Sequence, residues 1–254
     1  MDPTPVIELT VWQLLLLAVP LAVLLAVAAA MKLGLSKRIG LATGRAVVQL
    51  VAVGLVIGWV FAIDRWYFIV GLLIIMTAIA SLTAGVQIRG LWWRNSLALS
   101  AILGLVTGIM LLYISEAVVG VGEWSARYLI PIGGMLLGNA MTAAVLCAER
   151  IESDLKQRWA EVEAMVSLGA TGRQAAADSL CKAAGAALTP TLNAMMIVGV
   201  VKLPGMMTGQ MLGGTEPFQA AMYQLLILIA ILTCDCLSAV AVGLLMIRRR
   251  FAVR

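Results

Sequence analysis

The chain has 254 residues and not one histidine. Its absence removes the commonest metal ligand and the side chain best suited to proton transfer near neutral pH. Hydrolase and zinc-enzyme readings lose their usual support. Charge is scarce too: 12% of the residues are charged, against roughly 25% in a soluble domain. Four cysteines (Cys147, Cys181, Cys234, Cys236) build no disulfide framework. None falls in a predicted external loop, where oxidation would matter. No GxxxxGK[ST] phosphate loop occurs, so the chain carries no such nucleotide cradle of its own.

What is present is apolar. Hydrophobic residues make up 62% of the chain and the mean hydropathy is +1.02. A membrane span needs about 20 mostly apolar residues. Seven stretches qualify: about 9–31, 46–63, 66–84, 96–115, 128–147, 187–203 and 218–247. In lipid the backbone must satisfy itself, which leaves helices. The expected fold is all-α, a polytopic membrane helix bundle of about seven transmembrane helices forming one domain over 1–254. The opening MDPTPVIE carries Asp2 and Glu8 and no basic residue, unlike a secretory signal.

Lys and Arg concentrate in cytoplasmic loops. With the N-terminus outside and seven spans threaded, the inside holds Lys32, Lys37, Arg38, Arg45, Arg89, Arg94, Arg150, Lys156, Arg158, Arg173, Lys182, Arg248, Arg249, Arg250 and Arg254. Of eighteen basic residues only Arg65, Arg127 and Lys202 fall outside. The expectation is N-out/C-in. The net charge of +5 is then a topology signal. With no basic face, it does not point to nucleic acid.

One polar segment, 149–186, interrupts the apolar pattern between the fifth and sixth spans and faces the cytoplasm. Within it Ile151, Leu155, Trp159, Val162 and Val166 recur at helical spacing. Glu152 with Lys156 and Asp154 with Arg158 form i,i+4 pairs in the favourable order. Gly169 suits a helix C-cap, and a second helix is expected from Thr171 toward Pro190. Helical continuity alone makes this an extension of two spans; a docking platform for a cytoplasmic partner is the sharper reading.

EAMVSLGA (Glu163–Ala170) resembles the coupling motif of ABC transporter permeases, a Glu-Ala pair with Gly six residues after the Glu. That resemblance assigns Glu163, Ala164, Gly169 and Ala170 to an ATPase-coupling surface. GRAVVQLVAVG (Gly44–Gly54), GGMLLGNAMTA (Gly133–Ala143), SLGAT (Ser167–Thr171) and VVKLPGMMTGQMLGGTEPFQAAMYQ (Val200–Gln224) extend it. Together they look like the FetB family of ABC permeases, which covers bacterial inner-membrane iron exporters and plant relatives tied to aluminium tolerance. The resemblance runs from Gly44 to Phe251. It implies a multi-pass inner (plasma) membrane permease that exports iron and has no enzymatic site or cofactor in this chain. It implies a separate ABC ATPase subunit that holds ATP and magnesium, and two copies of the permease working as a homodimer.

The residues offer a translocation path. Pro204 cannot donate a backbone hydrogen bond, and Gly205, Gly209 and Gly213 would leave any continuing helix bare on one face. A broken helix or short re-entrant turn near the outer side is expected. Met206, Met207 and Met211 offer thioethers there, and Thr208 and Gln210 offer oxygens. Ordinary packing is the competing use, since methionine fills gaps and thioethers suit Cu(I) better than Fe(III). Asp235 is the one acid in a predicted span core. It is either a cation or proton site or a neutral, hydrogen-bonded contact. With Met207 it is a candidate metal ligand. Cys234 and Cys236 flank it on different helix faces and read as packing. Gln49, Asn139 and Thr142 either line the path or join helices. Arg45 anchors the second span at the inner interface. Gly54–Gly58 and Gly104–Gly108 read as packing faces. Glu116, Glu123 and Glu216 are external carboxylates.

Three rivals stand beside the iron-export reading. One is an ABC permease for another metal or a nucleotide sugar. One is an ion-gradient-driven carrier with Asp235 as its coupling acid. One is a membrane scaffold that recruits proteins through 149–186.

Overall fold

A computed structural model describes residues 12–13, 16–63, 65–88, 96–119 and 126–252. The start of the first predicted span, Arg89, Arg94 and Arg254 of the basic set, and Glu123 lie outside the described residues. The chain forms two compact units, Met1–Ile63 with Leu212–Gly214, and Asp64–Met211 with Thr215–Arg254.

The first unit is a helical hairpin. Helix α1 (Ala18–Ala30) and helix α2 (Ser36–Ile63) are joined through Lys32 and Gly34, both at positive φ. The Lys32 N–H donates to the Ala29 carbonyl and the Leu33 N–H to the Ala28 carbonyl, so two of the last carbonyls of α1 are satisfied by the turn itself. Within this unit α1 buries Ala28. Over Ser36–Gly58 α2 buries nothing, and Gln49 there is exposed; Val60 beyond it is buried.

The second unit holds α3 (Trp66–Gln87), α4 (Ser96–Tyr113, closed by a π-helical turn at Ile114–Val119) and α5 (Ala126–Gln157). Short helices α6 (Trp159–Ser167) and α7 (Gly172–Ala175) follow, then α8 (Ala177–Ile197). Beyond it come α9 (Gly205–Leu212) and the long α10 (Pro217–Ala252). Glycine sets the closest approaches. A methyl at Gly133 of α5 would lie 2.6 Å from Leu73 Cδ2 of α3, and one at Gly134 would lie 3.0 Å from Met76 Cε. A methyl at Gly104 of α4 would come within 3.3 Å of Thr77 on α3. In lipid, where apolar surface gains little by leaving the solvent, such van der Waals contact carries helix association. Of the pairs Gly54–Gly58 and Gly104–Gly108, only Gly104 sits at a close approach. Gly54, Gly58 and Gly108 face open space.

Helices α5, α8 and α10 share the main core. Small side chains line it: Ala143 on α5, Ala183 and Ala187 on α8, and Ala239 on α10, all buried. At Gly243 of α10 a methyl would run into Leu180 of α8 and lie 3.0 Å from Ile151 of α5. Side chains of α8 and α5 thus pack directly onto the bare backbone of α10 there.

Among the described residues five helical segments are long and apolar enough to cross a membrane: Ser36–Gly58, Trp66–Gln87, Ser96–Glu116, Ala126–Gln157 and Pro217–Phe251. The helical class expected from the sequence holds; an isolated bridge between Val198 and Lys202 is the β-like feature among them. One of the seven expected spans differs, and the first lies partly outside the described residues, with α1 as its longest described part. The sixth, expected at 187–203, straddles a helix end. Helix α8 starts ten residues earlier and stops at Ile197, and its first turns carry Asp178 and Lys182, which dilute its apolar character.

Candidate functional site

The polar segment folds into two short helices around an exposed turn. Helix α6 ends on a complete Schellman closure. The Gly169 N–H donates to the Val166 carbonyl and the Ala170 N–H to the Met165 carbonyl, each at 3.0 Å. Gly169 stands at φ +97°, a conformation a side chain resists. Two residues on, Thr171 caps α7. Its N–H donates to Gln174 Oε1 at 2.8 Å, and the Gln174 N–H donates back to Thr171 Oγ1 at 3.3 Å. This reciprocal capping box abuts the Schellman closure, so the turn is defined from both sides. It presents Glu163, Ala164 and Gly169 outward with Ala170 half-buried. Leu168, at its tip, is 89% exposed.

The predicted stripe is only partly inward. Ile151, Leu155 and Val162 are buried, whereas Val166 is exposed. The helix stops at Gln157, and Arg158 takes a non-helical conformation (φ −104°, ψ 22°) before α6 begins. Ile151, Leu155 and Val162 nevertheless share one core across the break, and the stripe ends at the last turn of α6, where Val166 is exposed.

Arg158 is the ionic hub at that break. Its Nε and Nη2 donate to the two Glu161 oxygens at 2.8 Å, and its Nη1 donates to Asp178 Oδ2 on α8. Lys182 donates to the same Asp178 oxygen at 2.7 Å. The Arg158 fork holds the Glu161 carboxyl below its ordinary range. Lys182 first, and Arg158 with it, do the same for Asp178. Glu161 in turn, then Asp178, push the Arg158 guanidinium further up. Asp154 stands 3.7 Å from Arg158 and accepts from the buried Ser179 hydroxyl at 2.6 Å. The Glu152–Lys156 pair closes at 2.6 Å. These exposed pairs contribute orientation more than stability.

The residues expected to line a path are scattered. Asn139 and Thr142 are exposed on α5, where each donates to a carbonyl one turn back, Met135 and Gly138. Asp235 lies elsewhere, 1% exposed inside the α5–α8–α10 core. Thr191 Oγ1 of α8 donates to Asp235 Oδ2 at 2.6 Å. Asp235 Oδ1 and the hydroxyl of buried Ser238, one turn along α10, have no hydrogen-bond partner among the described residues. Most span hydroxyls, such as Thr77, Thr107 and Thr233, bond back into their own helix; Thr191 bonds across to α10.

At the opposite end, α8 stops at Ile197 and the chain turns through Gly199 at φ +82°. Pro204 then opens α9, its carbonyl accepting from the Thr208 N–H at 3.0 Å and from the Thr208 hydroxyl at the same distance. The proline therefore starts a short helix between α8 and α10; it does not interrupt a long one. Gly205 and Gly209 are exposed on it, while Met206, Met207, Met211 and Gln210 are half-buried. The Gln210 side-chain oxygen is enclosed without a partner among the described residues. Those residues hold no cluster of three or more acidic or cysteine side chains suited to a metal. An apolar recess of about 830 Å³ between α3, α4 and α5, lined by residues such as Leu73, Thr77, Ser100 and Thr107, contains none of the expected path residues.

Several contributors escape sequence reading. Thr191 and Ser238 are ordinary polar residues until the fold puts them beside Asp235. Asn193 is exposed on α8, and its amide has no hydrogen-bond partner among the described residues. Gly172 and Phe251 belong to an aromatic seat under α7 that only tertiary structure assembles. A lone amide in an apolar helix is the one local signal available, and Asn193 carries it.

Apolar helices of membrane-crossing length, with a polar hairpin between two of them, define a multi-pass helical membrane protein. The chain belongs to the Uncharacterised protein family (UPF0014), whose model matches residues 11–251. It is 39% identical over 218 residues to the UPF0014 membrane protein slr1647 of Synechocystis, covering 83% of this chain and 82% of that one. It is 32% identical to the Protein ALUMINUM SENSITIVE 3 of Arabidopsis thaliana, over 82% of this chain and 78% of the relative. It is 30% identical to the Probable iron export permease protein FetB of Escherichia coli, over 88% and 85%. No solved structure matches.

Proposed function

We propose that this chain is the membrane permease subunit of an ABC exporter. It moves iron out of the cytoplasm across the inner (plasma) membrane, works as a homodimer of single-domain permeases, and is driven by a separate ATPase subunit that holds ATP and magnesium. The orientation is N-out/C-in, with about seven spans. The observation that carries this reading is the turn at Glu163–Ala170. It is closed by its own hydrogen bonds and exposed at Leu168, as a fixed knob for another protein's groove must be. The iron cargo is supported by the printed name of the Escherichia coli relative. Asn139, Thr142, Gln49, the Pro204–Gln210 element and Asp235 are the path residues of this reading.

The test is affinity purification of the tagged chain from its own membranes, followed by an ATP hydrolysis assay with and without iron. The expected result is a stoichiometric ATPase whose rate rises with iron. An ATPase indifferent to iron keeps the class and replaces the cargo by another metal or a nucleotide sugar. A preparation with no ATPase discards the reading. The carrier alternative then gains from one observation, the buried Asp235 with a bare oxygen.

A further inference from the structure

We infer that the last turn of α10 is the lever through which the docked turn moves the membrane helices, with Phe251 as its positioning residue. This rests on the ATPase-driven reading above and changes its mechanics.

Phe251 lies against both flanks of the exposed turn. On one side its ring covers Gly172, the first residue of α7. A methyl there would overlap Phe251 Cγ and reach 2.6 Å from Cδ2. On the other side the ring stacks on Trp159, the first residue of α6, with centroids 6.2 Å apart and planes at 27°. The Arg250 guanidinium sits 5.0 Å from the Trp159 ring, a cation–π contact that adds a second point of grip. Ala175, Ala176, Val162 and Ile247 pack into the same core, with Phe251 against it. The α6–α7 pair is thereby seated on the end of α10.

The routes along the backbone are interrupted. Toward α5 the helix breaks at Arg158, and toward α8 it breaks at Ala176. Helix α10, in contrast, runs without interruption from Pro217 to Ala252, on the order of 54 Å at 1.5 Å per residue. Displacement of the turn enters a continuous rod through Phe251, whereas the covalent paths bend first. Farther along, that rod meets α8 and α5 at Gly243 and is bonded to α8 by Thr191–Asp235. The stroke therefore passes into the last span and draws the neighbouring helices with it. Covalent continuity alone would point instead to α5 and α8, which flank the hairpin.

The test uses the full chain with its co-purified ATPase. Spin labels are placed at Tyr67→Cys on α3 and Phe218→Cys on α10, both exposed positions, with Cys181 and Cys236 changed to Ser. The readout is the change in label distance on adding ATP with vanadate. The parent complex should show a nucleotide-dependent shift. Phe251→Ala should keep the ATPase at parent stoichiometry and lose at least two thirds of the shift. Gly172→Ala should lose a comparable part, because its methyl displaces the ring. Gly172→Ala combined with Phe251→Leu should regain at least half of that loss, which a general folding defect would not allow. A full shift in Phe251→Ala with the ATPase bound overturns the lever and leaves the ABC reading intact. Loss of the ATPase from Phe251→Ala makes the residue part of docking and also overturns the lever. A parent chain that carries no ATPase overturns both.

Discussion

Asp235 has one oxygen bonded to Thr191 and the other bare, and among the described residues no Lys or Arg is buried. An uncompensated carboxylate at this depth is costly, by about 2.5–3.5 kcal/mol on insertion scales. The simplest resolution is a side chain whose charge is dispensable. Asp235→Asn should then leave the thermal midpoint of the purified protein unchanged or raise it. Thr191→Val should lower the midpoint by several degrees, since an orphaned buried acceptor costs about 1–3 kcal/mol. A marked drop for Asp235→Asn would show that the charge is held by a bound cation, and would favour the gradient-driven carrier. The sequence singles out Asp235 because a lone acid in an apolar run is conspicuous. It says nothing of Thr191, 44 residues away, because a threonine in a span usually bonds to its own helix and no local pattern marks the one that does not.

Two glycines in the polar hairpin show how differently one residue type is used within a single element. Gly169 is required by its backbone, at φ +97° with nothing within 4 Å of a added methyl. Gly172 has ordinary φ, and its constraint is the Phe251 ring above it. Gly169→Ala should therefore cost about 1–2 kcal/mol of local strain, and Gly169→Asn distinctly less, because Asn tolerates the left-handed region. Hydrogen exchange at the Ala170 and Gly169 amides measures this directly, and equal protection in both variants would refute it. The C-cap at Gly169 and the helix start at Thr171 are legible in the sequence, since capping chemistry is local. The break at Arg158 is not. Arg158 there reaches Asp178, 20 residues distant, a contact no local pattern announces.

At the scale of the whole molecule, polar side chains stand on apolar helices where lipid would be a poor solvent. Asn139 and Thr142 on α5 and Thr189 and Asn193 on α8 are exposed. Three of them satisfy a donor within their own helix; the Asn193 amide does not. Unsatisfied amides are expensive in hydrocarbon, so Asn193 calls for protein or water beside it. In the homodimer proposed here, Asn193→Cys should cross-link to a second copy in native membranes under mild oxidation, with Cys181 and Cys236 replaced by serine. A monomer band alone, under conditions that join a control pair, would count against a shared polar face. The membrane class is legible because hydropathy over 20 residues is a strong signal. The sixth span is misplaced because its helix begins among charged residues, where a hydropathy window sees none of the helical continuity. Which faces of the spans are buried depends on glycines such as Gly133 and Gly243, whose neighbours lie on helices far off in sequence.

The seat under Gly172 also has a consequence in time. Phe251 follows Gly172 by roughly eighty residues, and at about 5–20 residues per second of synthesis the hairpin waits some 4–16 seconds for the ring that supports it. During that interval the turn can close by its own hydrogen bonds, but it has no rod beneath it. A chain stalled before α10 is finished would offer a partner the right surface on a loose mounting. Completion of the last helix thus serves as a checkpoint on assembly, built into the order in which the residues are made.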